Sequence, residues 1–180
     1  MQPAAQGGVR IRLLETVRQY AREKLEESGE AAVVRTRLLD WALRFAAEAE
    51  PHLIGADQAA WLDRLEAEHN HFRAGLRWAI VSRAVAPGLR LIRDLWRFWM
   101  IRAFWSEGRA WCNELINLDQ ELRAADVSDG LRARAYYCAG TLAFRQNDVR
   151  SALARGEASL ALAQMADDKL EQLNALNLIA

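Results

Sequence analysis

Glu66 and His69 stand three residues apart, the spacing that places two metal ligands on one face of a helix. A di-iron bundle needs that motif twice, with two further glutamates, and the sequence holds no second copy. His71 follows His69 by two and turns to a different face, so the histidines read as surface or helix-junction residues. No metal and no cofactor are expected. The only lysines, Lys24 and Lys169, do not follow a glycine. A P-loop is therefore missing, since it needs glycines for close backbone approach and a lysine on the phosphates. No Gly-x-Ser-x-Gly elbow presents a serine nucleophile either. Cys112 and Cys138 are too few for a disulfide scaffold, fit a reducing compartment, and read as small buried hydrophobes. No catalytic residue emerges, and the chain is expected not to be an enzyme.

Arginine carries the more informative pattern. Residues 71–110 hold Arg73, Arg77, Arg83, Arg90, Arg93, Arg97, Arg102 and Arg109 against Asp94 and Glu107, a local charge of +6 in a chain of zero net charge. Arg90, Arg93 and Arg97 lie at i, i+3 and i+7, on one helical stripe. The plain reading of such a stripe is a solvated face partly paired with acidic neighbours. The neutral total argues against a dedicated nucleic-acid-binding domain, which is usually basic. Seven tryptophans (Trp41, Trp61, Trp78, Trp96, Trp99, Trp105 and Trp111) read as core and packing residues, because each buries a large area.

The elements that must position these side chains are helices. The sequence has 33 alanines and only 18 Val, Ile and Thr together, with 3 prolines, a usage that favours helix and leaves little strand material. At 52% hydrophobic and 27% charged residues it can build a core and is not disordered. No apolar run approaches the roughly 18 residues that a membrane span needs. Residues 1–8 read as a disordered leader. Leu14, Val17, Ala21 and Leu25 form the stripe of a first helix that stops at Gly29. A second helix, about 30–50, is expected to bury Val34, Leu38, Trp41 and Phe45 and to end at Pro51. Asp57 is the expected N-cap of a third, whose stripe is Trp61, Leu65, Phe72, Leu76 and Ala79, with a break near Glu68 to Asn70. Pro87 opens a fourth helix with Ile92, Leu95, Trp96 and Trp99. Ser106 caps a fifth with Cys112, Leu115 and Ile116. Ser128 or Asp129 opens the sixth, Asn147-Asp148 turns into the seventh, and Asp167 starts the eighth. Short connections imply antiparallel neighbours.

Tyr136, Ala139, Gly140, Ala143, Asn147, Asp148, Ala152 and Leu160 resemble the tetratricopeptide pattern: small residues where two helices cross, then a polar turn. An earlier copy, 44 residues back, holds Ile92, Leu95, Trp96, Trp99, Ala103 and Gly108; a later one, 40 residues forward, places Ala180 where Gly140 stands. The resemblance implies an all-α, right-handed solenoid of helical hairpins with about seven or eight helices. First helices of successive tetratricopeptide repeats line a concave groove. In this frame the earlier copy supplies Arg90, Arg93, Arg97 and Met100, and the middle copy Arg134, Tyr137, Thr141 and Phe144. The last copy supplies Asn174 and Asn177. Four arginines with two aromatics and two amides suit a protein or an anionic effector.

The stretches RIRLLETVRQYAREKLEESGE (10–30), PHLIGADQAAWLDRLEAEHNHFRAGLRWAI (51–80) and LWRFWMIRAFWSEGRAW (95–111) resemble large bacterial signal-transduction ATPases with LuxR-type DNA-binding domains. In that family a segment like LLETVRQYA closes a winged-helix region and a helical-repeat sensor follows. The resemblance implies that residues 9–52 are a helical pair ending the winged-helix segment. It also implies that 53–180 are repeats, the last one truncated. It implies a non-catalytic, cytoplasmic sensor or interaction region of a transcriptional regulator. The alternative is a scaffold that docks the neighbouring ATPase and DNA-binding domains. No direct nucleic-acid or membrane binding is expected of this segment. The last helix carries Leu170, Leu173, Leu176, Leu178 and Ile179, so this C-terminal edge is expected to be either frayed or covered by a second copy of the chain in a homodimer.

Overall fold

The computed structural model describes residues 15–180. The expected leader at 1–8 and Leu14 of the first stripe lie outside the described residues. The described residues form nine α-helices and no strand: α1 (Glu15–Glu27), α2 (Ala31–Ala49), α3 (Gln58–Ala67), α4 (His69–Val81), α5 (Val85–Ile101), α6 (Trp105–Leu122), α7 (Asp129–Arg145), α8 (Val149–Met165) and α9 (Lys169–Ile179), with a 3-10 turn at Glu50–Leu53. The fold is all-α. Among the described residues no helix is long and apolar enough to cross a membrane.

The chain divides into two compact units, Met1–Val34 and Arg35–Ala180. In the first, α1 closes at Gly29, whose φ of 72° puts it in the left-handed region that only glycine enters freely. Val17 and Ala21 of the first stripe are exposed.

The second unit is built of antiparallel hairpins. The expected face of α2 is turned: Leu39, Ala42, Ala46 and Ala49 are buried, while Val34 is exposed and Trp41 and Phe45 are only half-buried. Alanines make the closest face because they let a neighbouring helix approach, and the rings are pushed to the flank. There Trp41 stacks on Phe45 at 5.3 Å and on Phe72 at 6.0 Å. Pro51 falls in the 3-10 turn that follows α2. The third stretch breaks at Glu68 into α3 and α4, giving nine helices rather than eight, and its stripe Trp61, Leu65, Phe72, Leu76 and Ala79 is buried throughout. Asp57 occupies the N-cap position of α3 without a side-chain cap bond.

Phe104, not Ser106, is the N-cap of α6, and Ser106 lies inside the helix. Ser128 caps α7 by accepting a hydrogen bond from the Leu131 amide at 3.3 Å. Asp148 caps α8 through the Ser151 amide, and Asp168 rather than Asp167 caps α9. The hairpins share a closure. Arg83, Ala103, Asn147 and Asp167 all take positive φ, and the next residue's amide reaches back five residues: Ala84 to Ala79, Phe104 to Trp99, Asp148 to Ala143 and Asp168 to Ala163, at 2.8–3.0 Å. This is the Schellman arrangement, built here without glycine.

The core runs through α4, α5, α6 and α7, with Phe72, Leu89, Leu95, Phe98, Trp99, Leu115 and Leu142 all buried. At the α5–α6 crossing a Cβ on Gly108 would meet the Trp99 ring at 2.7 Å, so only hydrogen fits there. Trp61, Trp96, Trp99 and Trp111 are buried, and Trp41, Trp78 and Trp105 are half-buried. Helices α5, α7 and α9 begin 44 and 40 residues apart, and α7 packs on α5, α6, α8 and α9.

Candidate functional site

Helix α5 turns Leu91, Ile92, Leu95, Phe98 and Trp99 into the core, which leaves Arg93 and Arg97 together on another side. Helices α7 and α9 bring Arg134 and Glu171 alongside them, and the turn after α2 brings Glu50. A cleft of about 270 Å³ lies where they converge, lined by Ala47, Glu50, Arg93, Asp94, Arg134 and Glu171.

Its arginines meet carboxylates. Arg93 holds the buried Asp94 bidentately, Nε to Oδ1 at 2.7 Å and Nη2 to Oδ2 at 3.0 Å. Those hydrogen bonds raise the Arg93 pKa. Arg134 donates from Nη1 alone to both oxygens of Glu171, at 3.1 and 3.4 Å. This pair is nearly sealed from solvent, with side chains 13% and 10% exposed. Arg97 approaches Glu50 only to 3.7 Å, beyond hydrogen-bonding distance. The Nε atoms of Arg97 and Arg134 are buried and lack a hydrogen-bond acceptor. Both guanidinium groups lie over Trp96, at 4.9 and 5.4 Å from its ring, and Tyr137 meets Trp96 edge-on at 5.5 Å.

The structure thus gathers Arg93, Arg97, Arg134 and Tyr137 of the expected groove. Asn174 joins them by donating to Glu171 at 3.4 Å. Of the expected positions, Arg93 and Arg134 alone line the cleft itself. Arg90, Phe144 and Asn177 are exposed. Met100 receives the Arg145 Nε on its sulfur at 3.4 Å, and the Thr141 hydroxyl is spent on the Tyr137 carbonyl at 2.9 Å. Sequence reasoning overlooked Glu50, Asp94 and Glu171. Asp94 had a signal, as the sole acid among the arginines of α5; Glu50 and Glu171 had none, being 121 residues apart.

A second polar cluster surrounds His69. It is buried against Phe98 and Phe104, with ring centroids 5.1 and 4.5 Å away, and its Nε2 lies 3.0 Å from Glu107 Oε1. Arg73 clamps the same carboxylate at 2.8 and 2.5 Å. Burial, helped by the Arg73 charge, pushes the His69 pKa below its ordinary 6.5 despite the pull of Glu107. Burial also pushes the Glu107 pKa up, but Arg73, His69 and Trp111 outweigh it and hold the carboxyl below its usual value. His71 instead pairs with Glu68 at 2.6 Å on the surface, and His52 stacks on Trp61. Among the described residues no group of three or more His, Cys, Asp or Glu side chains could hold a metal. Cys112 and Cys138 are both buried, which raises both thiols, Cys138 to about 12. Arg132 clamps the α6–α7 loop, holding Asp119 at 2.7 and 3.1 Å and the Val127 and Ala124 carbonyls at 2.8 Å.

Over 130 residues, 72% of the chain, the sequence is 38% identical to proteins of Mycobacterium bovis and Mycobacterium tuberculosis that carry the name "Putative HTH-type transcriptional regulator". The match spans 14% of the length of those relatives. No family model matches the chain, and no solved structure matches it.

Proposed function

We propose that this chain is the non-catalytic sensor and interaction region of a cytoplasmic, LuxR-type bacterial transcriptional regulator, with a tetratricopeptide-like architecture. Its effector or partner occupies the cleft where α5, α7 and α9 converge. The observation that carries this reading is the cleft itself, in which helices opening at regular 44- and 40-residue intervals collect charged side chains around Trp96. Similarity to the mycobacterial proteins supports the regulatory context. The competing reading is a scaffold that only docks neighbouring domains. It draws on the pairing of Arg93 and Arg134 with carboxylates, which stiffens a structure as readily as it recognises a ligand.

A reporter assay on the intact regulator that carries this chain separates the two. Under the sensor reading, Arg93→Glu with Arg97→Glu abolishes the response to signal or makes it constant. A response with normal size and threshold would sink the sensor reading and leave the scaffold.

A further inference from the structure

We propose that the ligand of this cleft is a free α-amino acid. The assignment rests on reading the cleft as the effector site and names the chemistry that fits it. Five of the six lining residues are charged, and the signs are mixed: Glu50, Asp94 and Glu171 face Arg93 and Arg134. A simple anion would meet three carboxylates there, and a simple cation would meet two guanidinium groups. A small molecule with both charged groups on one carbon meets neither conflict, because its poles can be divided between the two sets. The volume of about 270 Å³ is at the small end of ligand pockets, which run from about 300 Å³ upward. It suits one amino acid and is too small for a nucleotide or a folded peptide.

Unfilled hydrogen-bonding capacity identifies the two poles. Arg93 has its Nε and Nη2 filled by Asp94. Arg134 commits only Nη1 to Glu171, and its guanidinium lines the cleft while lying over the Trp96 ring. A ligand carboxylate against the cleft side of that guanidinium takes up its remaining donor capacity in a charge-assisted bond. At the other pole Glu50 makes only a 3.7 Å approach to Arg97, so its carboxylate is available to an ammonium group. Asp94 and Glu171 add negative potential beside it. The cleft therefore reads the α-carboxylate and the α-ammonium, and has one apolar lining residue, Ala47, with which to discriminate among side chains.

Isothermal titration calorimetry of the whole chain against each standard free L-amino acid tests this. At least one should bind saturably with a Kd below about 1 mM. Its N-acetyl and methyl-ester forms, which each lack one charge, should bind at least about tenfold more weakly. Arg134→Gln should weaken binding by a similar factor, with the helical circular dichroism retained. If that variant unfolds, Glu50→Gln at a half-open position keeps the test, with the same loss expected. Failure of every free amino acid to bind below about 1 mM, or equal binding of the blocked forms, overturns the proposal. Those results would leave the effector reading intact if Arg93→Glu with Arg97→Glu still disturbs the reporter. Amino-acid binding alongside an undisturbed reporter supports the site and removes its role in signalling.

Discussion

His69 is placed where its protonation opposes the fold. Above pH 6.5 its imidazole is neutral whether the chain is folded or not, and the buried seat between Phe98 and Phe104 carries no penalty. The folded pKa lies below the unfolded one, so as pH falls through 6.5 the unfolded chain takes up the proton first. Stability is thus complete above 6.5 and declines as pH falls toward the lowered folded pKa. Urea midpoints should drop between pH 7 and pH 5, and His69→Gln should flatten that drop. An identical pH slope in the variant would show that other groups govern it. Glu107 acts in the same direction in a lower window, since its depressed pKa adds stability that fades only below its ordinary 4.5.

Among the elements, α5 and α6 meet in a way that makes two neighbouring substitutions act oppositely. Gly108→Ala drives a methyl group into the buried Trp99 ring and should destabilise the chain by about 1–3 kcal/mol. Ala103→Gly relieves a left-handed residue at the end of α5 and should stabilise it by about 0.5–1 kcal/mol. Denaturant titration reads both, and equal effects of one sign would contradict the crossing and the closure described. The same elements show what the sequence makes legible. The stripes of α3 to α6 were readable because bulky apolar residues recur at helical spacing. The face of α2 was misplaced by about one position because its contact side is alanine, which hydrophobic periodicity weighs too lightly beside Trp41 and Phe45. Ser128 and the Asn147-Asp148 turn announced their helices by residue type. Arg83 and Ala103 gave no such warning: arginine and alanine seldom enter the left-handed region, and only packing on both sides holds them there. In the cleft Arg93 is legible as part of an arginine stripe, whereas two of the carboxylates arrive from opposite ends of the unit.

The second unit, taken whole, leaves a row of leucines uncovered on α9. Leu170, Leu173 and Leu176 are 65%, 55% and 51% exposed, and they recur at every third position along one side. Such a row is costly in water, at about 25 cal/mol for each Å² left wet. We expect the chain to self-associate through it, with sedimentation showing a concentration-dependent dimer that Leu173→Lys with Leu176→Lys returns to monomer. A species that stays monomeric at high concentration would remove this expectation.

Packing in this unit is otherwise local. Its helices touch near neighbours, and hydrogen bonds between elements reach back by about one hairpin, as Arg145 does to Met100 over 45 residues. The cleft is the exception, because Glu50 and Glu171 line one cavity from 121 residues apart. In mechanical terms the cleft is a clasp that ties the turn after α2 to α9, elements that the rest of the packing keeps apart. A change of charge there is therefore felt at both ends of the unit at once, whereas the same change within a hairpin is felt only by the helices beside it.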